Sequence, residues 1–376
     1  WLDNELTTIE PLMAEVGAYN NSQNFGRADR GAAYALHARL ALNSEVYTEG
    51  KVKDYQKAID YCDKILNNVG EGEGKYNLCR AEKNGYSGYQ QLFMGDNDCN
   101  PEAMKEIIFP IRQDGVKTRA YAGTSYLVNA STISGMPYAS TSDPWKCLFA
   151  RVDLVKKFFP NGDIPKATDE DLLSNPSKDQ VIAKDNEKGI STADVVAQAK
   201  DDRALFYMGV GGCETGKVRT INPGEAITGP LNGASFVKWS NLHADGSTQH
   251  DQNYSDTDFP VFRLAEIYLT RAEAKYRLGQ DGLDDILKVQ DRAHRASKAT
   301  SVNEQTLIDE WCREFFMEGR RRSDLVRFGL YTGSKYLWSF KGGAEKGAGV
   351  PSYYNIYPIP DNEIKNNPNM TQNPKY

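Results

Sequence analysis

The stretch that decides the fold class is residues 260–279, PVFRLAEIYLTRAEAKYRLG, in the last third of the chain. Its apolar side chains recur at helical spacing, so that Leu264, Ile267, Tyr268 and Ala272 share one face. Its first residue is a proline, which is tolerated in the first turn of a helix. The stretch therefore predicts an amphipathic helix that begins at its proline.

Other segments predict helices of the same kind, and they lie at residues 26–45, 54–68, about 283–297 and about 304–319. In DYQKAIDYCDKILNN the apolar face consists of Tyr55, Ala58, Ile59, Cys62, Ile65 and Leu66. The first two of these helices are close in sequence, so we expect an antiparallel hairpin. Small residues and tyrosines on paired helices are typical of tetratricopeptide repeats. The sequence therefore predicts a mostly α protein with hairpins of this type.

The middle of the chain differs in composition, because Gly, Ser, Thr, Asn and Pro dominate it. Such a composition predicts loops and short strands, and loops on a rigid scaffold often carry binding residues. We therefore expect three parts. They are a first helical part over residues 1–70, a loop-rich binding block over 71–258, and a second helical part with a C-terminal tail over 259–376.

Composition excludes several classes of protein. The net charge is −6, so the basic footprint of a nucleic-acid-binding protein is missing. No apolar run approaches the roughly 18 residues of a membrane-spanning helix. The six cysteines are too far apart for CxxC metal or redox motifs, and Cys62 and Cys312 are expected to be buried in helices.

The opening residues WLDNELTTIEPL resemble the interior of a helical region, so we expect a fragment without its N-terminal part and export signal.

Four segments, spread along the chain in the right order, resemble the SusD family of glycan-binding lipoproteins from Bacteroidetes. They are GRADRGAAYALHARLALNSEVY from residue 26, FPVFRLAEIYLTRAEA from 259, LIDEWCREFFMEGRRRSDLVRFG from 307 and YPIPDNEIKNNPNMTQNPKY from 357. The resemblance implies a SusD-like fold without a catalytic site. It also implies a lipid-anchored position at the outer-membrane surface and a SusC-type TonB-dependent transporter as partner. In the middle block, LFMGDNDCNPEAMKEIIFPIRQDGVKTRAYAG and PWKCLFARVDLVKKFF resemble starch-binding members, which implies an α-glucan ligand.

Two aromatic residues are candidates for contact with that ligand. Tyr121 lies in the polar turn KTRAYAG and Trp145 follows TSDP, and neither fits a helix or strand period. Aromatic faces suit a neutral sugar, although packing beneath the loops is the commoner role for such rings. The resemblance matches both residues to an aromatic arc that follows the curvature of an α-1,4-glucan. Arg119 and Lys117 lie in the same turn, either bonding sugar hydroxyls or forming a solvated basic loop.

Two acidic clusters, DNDCN and SDTDFP, place carboxylates at alternate positions, which suits calcium. The first is not an EF-hand, because Pro101 and Ile107 replace the required Gly and closing Glu. The resemblance implies a structural calcium site, and its ligands are expected to be Asp98, Gln113, Asp114, Asp256 and Asp258. The alternative for Asp258 is that it caps the helix that follows.

The remaining charged groups do not favour catalysis. Glu314 and Glu318 share a helix face beside Arg320–Arg322, which favours local ion pairs. Ion pairs lower a carboxyl pKa, whereas a general acid needs it raised. The four histidines form no HExxH motif, and His37 and His294 are expected to pack within helices. We therefore expect non-catalytic capture of starch. The alternatives are a SusD-like protein for another polysaccharide, a glycoside hydrolase, or a helical protein-interaction scaffold.

Overall fold

The computed structural model of the chain describes residues 1–134, 136, 139–159, 181–185, 188–189, 191–208, 219–220 and 233–376. Its α-helices are α1 (Leu2–Ile9), α2 (Arg30–Leu42), α3 (Ser44–Tyr47), α4 (Tyr55–Leu66), α5 (Gly88–Gln91), α6 (Pro101–Glu106), α7 (Gly123–Ser131), α8 (Val152–Val155), α9 (Thr192–Ala199), α10 (Leu264–Arg277), α11 (Leu283–Arg292), α12 (Glu304–Phe315), α13 (Arg321–Arg327) and α14 (Asp361–Asn366). Its strands are β1 (Ile107–Ile111), β2 (Phe149–Ala150), β3 (Val181–Asp185), β4 (Lys188–Gly189), β5 (Phe206–Tyr207), β6 (Arg219–Thr220), β7 (Ala234–Phe236) and β8 (Phe259–Arg263). The prediction of a mostly α protein with short strands is confirmed.

Helix α2 begins at a buried capping residue. The carboxylate of Asp29 accepts hydrogen bonds from the N–H of Gly31 (2.7 Å) and, through its other oxygen, from the N–H of Gly17 (2.8 Å). Such a cap satisfies donors that the first turn of a helix leaves free. The helix is rich in alanine and buried over much of its surface. Its small side chains allow close packing against helix α4.

Helix α4 buries the face that its sequence predicts, including Tyr55, Ile59, Cys62 and Ile65. It packs against both α2 and α10, so helices from the two ends of the chain share one hydrophobic core. Trp311 of α12, which is 1% exposed, belongs to the same core. Burial of this apolar surface provides the main stabilisation of the helical part of the molecule.

The expectation that a helix starts at Pro260 is wrong, because residues Phe259–Arg263 form strand β8 and helix α10 begins at Leu264. Strand β8 pairs antiparallel with β1, and Pro260 lies opposite Pro110. A two-stranded sheet has only edge strands, where proline does not interrupt a second ladder. This pairing joins residues on the two sides of the predicted boundary at residue 258. The division of the chain into three parts stays a prediction.

Two other helices end earlier than predicted. Helix α11 ends at Arg292 and α12 at Phe315, where the predictions extended to 297 and 319. Residues just beyond each end have left-handed backbone, with φ of 48° at His294 and 60° at Met317. The expectation that His294 packs within a helix is therefore wrong, since it is exposed and its ring bonds Asp202. His37, by contrast, is buried in α2 as predicted.

The loop-rich block has a small core of its own. Strands β2, β7 and β5 form a three-stranded antiparallel sheet in that order. Phe206 and Phe236 of this sheet stack on Phe316, with ring centroids 5.6 and 6.0 Å away. Phe316 follows helix α12, so this contact fixes the block to the helices.

A buried ionic network also joins the block to the helices, and it changes the predicted partners of two glutamates. Glu318 bonds Arg263 and Lys238 rather than Arg320–Arg322. Glu314 bonds Arg263 and also Arg203, the latter at 2.9 Å. Arginines of a neighbouring strand and loop replace the predicted local pairs, because the helix ends at Phe315 and Glu318 and Arg320 therefore do not continue its face.

The described cysteines are free thiols, and Cys62 and Cys312 are buried as predicted. Cys213 lies outside the described residues. Within the described ranges, no helix combines the length and apolar character needed to cross a bilayer.

Candidate functional site

Helix α7 holds three loops of the middle block together. The backbone N–H of Trp145 donates to the backbone carbonyl of Asn129 (2.8 Å). The side-chain amide of Asn129 donates to the backbone carbonyl of Asn253 (3.1 Å). The Ser255 N–H donates to the hydroxyl of Ser125 (2.9 Å). Asn129 and Ser125 both belong to α7. The helix therefore brings the loops around residues 145 and 254 beside the turn that precedes it.

Four aromatic rings form a continuous row on these loops. The ring of Tyr254 lies 4.9 Å from that of Tyr121, which lies 5.6 Å from Trp145, measured between centroids. Tyr126 continues the row 5.8 Å beyond Trp145. Tyr121 is 50% exposed and Tyr126 is 43% exposed. We call these four residues the aromatic row.

Hydrogen bonds hold the rings of the row in place. The indole N–H of Trp145 donates to a carboxylate oxygen of Asp143 at 2.8 Å. A side-chain hydrogen bond with Tyr254 raises the pKa of Tyr121. A ring that is already fixed loses less conformational entropy when a ligand stacks on it. These hydrogen bonds therefore hold the rings of Trp145, Tyr121 and Tyr254 before any ligand binds.

The two basic candidates differ in their surroundings. The Arg119 guanidinium lies 3.2 Å from Asp251 and 5.6 Å from the centroid of the Tyr254 ring, which places it beside the aromatic row. Lys117 is exposed, and its backbone N–H donates to the carboxylate of Asp114 at 2.6 Å. Arg119 thus borders the aromatic row, whereas the backbone of Lys117 belongs to the neighbouring acidic turn.

Tyr126 and Tyr254 are the members of the row that sequence reasoning missed. Tyr126 lies on a helix, where a single tyrosine gives no sign of a binding role. Tyr254 lies only two residues before Asp256, in a segment whose carboxylates drew attention to calcium. No local signal in either segment identifies its neighbours, because Tyr254 contacts a ring 133 positions away and Tyr126 contacts one on a separate loop.

Two of the predicted calcium ligands lie on either side of an arginine. Arg112 contacts Asp98 through Nη2 (2.5 Å) and Asp258 through Nε (2.9 Å). The buried Oδ2 of Asp258 nevertheless forms no hydrogen bond of normal geometry. Burial raises the pKa of Asp258 to about 8, and the carboxylates of Asp98 and Asp114 add to this rise. The expectation that Asp258 caps a helix is wrong, because strand β8 follows it and helix α10 begins only at Leu264. The other oxygen of Asp258 accepts from the Gln113 N–H at 2.6 Å.

The other predicted ligands lie on the turn that follows strand β1 and on the segment before β8. Asp114 accepts from the N–H groups of Val116 and Lys117, which closes the turn. Gly115 has φ of +63°, and a Cβ there would meet Asp256 Oδ1 at 2.6 Å. Only glycine fits this close approach of the two segments. The β1–β8 ladder therefore brings the turn with Asp114 beside the segment that carries Asp256 and Asp258.

The donor set suits calcium in its chemistry. Asp256 Oδ1 and Asp258 Oδ2 are buried oxygens that form no hydrogen bond of normal geometry, with His250 Nδ1 3.1 Å from the first and Arg112 Nε 2.9 Å from the second. Oxygen is the ligand that calcium prefers. Among the described residues, no three His, Cys, Asp or Glu side chains are already gathered as a metal-ligand group. Calcium binding at these residues stays a prediction.

Sequence comparison places the chain in a family. The model of the SusD family matches residues 105–376, which is well over half of the chain. The chain belongs to the SusD family. The predicted resemblance is thereby confirmed, together with the SusD-like fold.

This SusD-family chain is similar to one starch-binding relative over its whole length. It is 48% identical over 380 residues to the starch-binding protein SusD of Bacteroides thetaiotaomicron. The alignment covers 100% of the chain and 65% of that protein. The chain therefore spans less than two thirds of the length of this relative.

Solved structures of other SusD-like proteins share the fold at low sequence identity. A SusD-like protein from Bacteroides fragilis has a TM-score of 0.63 at 19% identity, covering 100% of the chain and 70% of that protein. Surface glycan-binding protein A of Bacteroides thetaiotaomicron, solved in complex with laminarihexaose, has a TM-score of 0.58 at 16% identity. That match covers 99% of this chain and 70% of the other. These two likenesses describe the fold alone.

Proposed function

We propose that this SusD-family chain captures starch or a related α-glucan at the bacterial cell surface and does not cleave it. The observation that carries the proposal is the aromatic row, in which Tyr121 and Trp145 lie 5.6 Å apart. Their approach supports the proposal because two rings from separate loops then face one ligand. The 48% identity to a starch-binding protein favours starch among the glycans.

Stacking is the physical basis of the proposed capture. Glucose units are uncharged, so a protein gains little by presenting charge to them, whereas their C–H faces pack well on aromatic rings. The rings of the row are tilted by 39°, 55° and 61° to their neighbours, which suits a curved chain better than a flat one. Arg119 lies beside Tyr254 and is placed to donate hydrogen bonds to sugar hydroxyls. Lys117 stays a second candidate for this role.

The buried glutamates support binding without hydrolysis. Burial raises the pKa of Glu314, but Arg292, Arg263 and Arg203 outweigh this effect and hold that pKa well below its usual range. A general acid in glycoside hydrolysis needs the opposite shift. Glu314 is fully buried, so a polysaccharide does not reach it.

Delivery to a transporter is part of the proposal. We expect the whole protein to be held at the outer membrane by a lipid anchor and to pass glycan to a SusC-type TonB-dependent transporter. Individually weak sugar contacts favour such a transfer, because a polymer is retained by several contacts and still released from each. Co-purification of the whole protein with the transporter from outer-membrane extracts tests this step.

We also propose that calcium bound by Asp98, Gln113, Asp114, Asp256 and Asp258 is structural. When bound, the ion would neutralise carboxylates that burial makes costly to ionise. The residues that would hold it join the turn after β1 to the segment before β8. That turn leads directly to Tyr121, so its position affects the aromatic row.

Affinity electrophoresis in amylopectin gels tests the proposed function. The chain should be retarded, and Trp145→Ala or Tyr121→Ala should abolish most of the retardation because each removes a central ring. The matched control is Tyr276→Ala, which removes a 36% exposed tyrosine on helix α10, outside the row. Absence of retardation in the unaltered chain and in the full-length protein would contradict the proposal.

Two further measurements separate the alternatives. Calorimetric titrations with starch, pullulan, dextran and inulin identify the glycan, and preference for a glycan without α-1,4 links would contradict the choice of starch. Incubation of the purified protein with starch oligosaccharides should release no shorter products. Product release that increases with protein concentration would instead identify a hydrolase.

A further inference from the structure

A cavity of about 200 Å³ lies between helix α2, strand β8 and the segment that joins helices α12 and α13. Residues that line it include Arg39, Phe259, Val261, Glu266, Phe315 and Arg320. None of the four residues of the aromatic row lines this cavity. We call it the arginine pocket.

Two arginines of the pocket share one carboxylate. Arg39 donates to both oxygens of Glu266, each at 2.7 Å, and Arg320 forms an ion pair with the same carboxylate. Burial raises the pKa of Glu266, but Arg320 and Arg39 outweigh this effect and lower that pKa to about 2. Glu266 is therefore ionised at neutral pH, and it balances only one of the two positive charges.

The other charged groups of the pocket are already neutralised by residues outside it. Glu318 pairs with Lys238 (2.6 Å) and with Arg263 (2.8 Å). Arg327 bonds Glu273 through two nitrogens, at 2.8 and 2.9 Å. Arg327 also pairs with the buried Asp324 at 2.9 Å, and the Asp324 carboxylate acts on Arg39 without forming an ion pair with it. Glu266 is thus the carboxylate in direct contact with both Arg39 and Arg320. The pocket thus carries an excess positive charge at Arg39 and Arg320.

The two guanidinium groups have unused capacity and fixed positions. Arg320 Nε is buried and lacks a hydrogen-bond acceptor. Arg320 lies over the ring of Trp311 (4.7 Å), and Arg39 lies over that of Phe262 (4.1 Å). The Arg39 side chain is 29% exposed, so a ligand can reach it. A planar guanidinium held in this way is suited to bind a carboxylate.

We infer that the arginine pocket binds an organic carboxylate joined to an apolar group, as presented by an acidic polypeptide segment. The arginines attract the carboxylate, and the walls formed by Phe259, Val261 and Phe315 accept the apolar part. Tyr47 also lines the pocket and is 63% exposed, which adds apolar surface on the solvent side. A sugar acid has the charge but not the apolar part. This site is independent of the proposed glycan capture.

Calorimetric titration with three small probes tests the inference at low ionic strength, in a buffer without carboxylate or phosphate. Phenylacetate should bind, since it combines a carboxylate with an apolar ring. Benzyl alcohol has the ring without the charge, and glucuronate has the charge without the ring. Both should bind at least tenfold more weakly than phenylacetate.

Substitutions at Ser323, an exposed residue that lines the pocket, supply a matched pair of variants. Ser323→Asp places a carboxylate beside the arginines, so it should weaken phenylacetate binding at least tenfold, and Ser323→Ala should leave it unchanged. Arg39→Gln should also weaken it, with circular dichroism confirming that each variant is folded. Trp145→Ala should not change the affinity for phenylacetate, and Ser323→Asp should still be retarded in amylopectin gels. The two proposals can therefore fail independently of each other.

Three results would overturn the inference. One is the absence of phenylacetate binding. The second is binding of benzyl alcohol or glucuronate as tight as that of phenylacetate. The third is phenylacetate binding that remains unchanged in both Ser323→Asp and Arg39→Gln.

Discussion

Tyr126 is the outermost ring of the aromatic row, 5.8 Å beyond Trp145. A short oligosaccharide that stacks on the central rings does not extend to it, whereas a longer one does. Tyr126→Ala should therefore weaken binding of maltoheptaose by about fivefold, for a stacking contribution of about 1 kcal/mol. Binding of maltotriose should change little, and calorimetric titration of both sugars measures the difference.

Tyr276→Ala is the control for this substitution, since it removes a tyrosine from another helix. An equal loss for both sugar lengths would contradict the placement of Tyr126 at the end of the binding surface. No loss for either sugar would remove Tyr126 from that surface altogether.

Single residues also mark where sequence reasoning reaches its limit. The unusual loop positions of Tyr121 and Trp145 are visible in the sequence, but their 5.6 Å separation depends on the bond between Trp145 and Asn129. Glu314 is visible as a charged helix residue, yet three distant arginines determine its pKa. A residue type is local, whereas its electrostatic surroundings are not.

Among the elements, the β1–β8 ladder controls the acidic region, because it aligns the turn after β1 with the segment before β8. If calcium links these two segments, its addition should raise the melting temperature, and chelation by EDTA should reverse the rise. Asp258→Asn should abolish the calcium effect, since it removes a charged ligand oxygen. It should cost little stability in EDTA, because the raised pKa of Asp258 leaves that carboxyl largely neutral at pH 7. Thermal unfolding followed by circular dichroism measures both effects.

The control for the calcium experiment is Asp361→Asn, which alters an exposed aspartate at the start of helix α14. This variant should keep the full response to calcium. A melting temperature that does not change with calcium, or a response that survives in Asp258→Asn, would contradict the proposed ligand set.

The elements differ in how far sequence predicts them. Helix α4 follows from its periodic apolar face, which the structure buries against α2 and α10. Strand β8 does not follow from local sequence, because FPVFR adjoins a strong helical pattern and becomes a strand only by pairing with β1. Pairing across more than 140 residues depends on tertiary contacts rather than on propensity.

At the scale of the whole molecule, the buried ionic network predicts instability in acid. Burial raises the pKa of Glu310, but Arg203 and Arg313 outweigh this effect and lower it to about 2, and Glu266 also has a pKa of about 2. Both values lie below the usual carboxyl range, so their stabilisation is present above about pH 4.5 and is lost as the pH falls toward 2. The melting temperature should fall steeply between about pH 4.5 and pH 2.

Two matched variants check that the network causes this fall. Glu310→Gln should lower stability at pH 7 by about 3–5 kcal/mol, since it leaves buried arginines without their partner. It should also make the acid-induced fall shallower. Glu363→Gln alters an exposed glutamate on helix α14 and should do neither. A melting temperature that stays constant from about pH 4.5 to pH 2 would contradict the assignment.

The sequence by itself determined the long helices of the main core and their buried faces, since apolar residues at a period near 3.6 form one side of a helix wherever it packs. It also showed the aromatic residues Tyr121 and Trp145 and the acidic clusters that the two candidate sites contain. Only the tertiary structure decided which residues meet: Tyr254 beside Tyr121, Arg263 beside Glu314, and Arg39 with Arg320 on Glu266. The physical reason is that periodicity is a property of neighbouring residues, whereas these contacts join segments that come together only when the chain buries its common core.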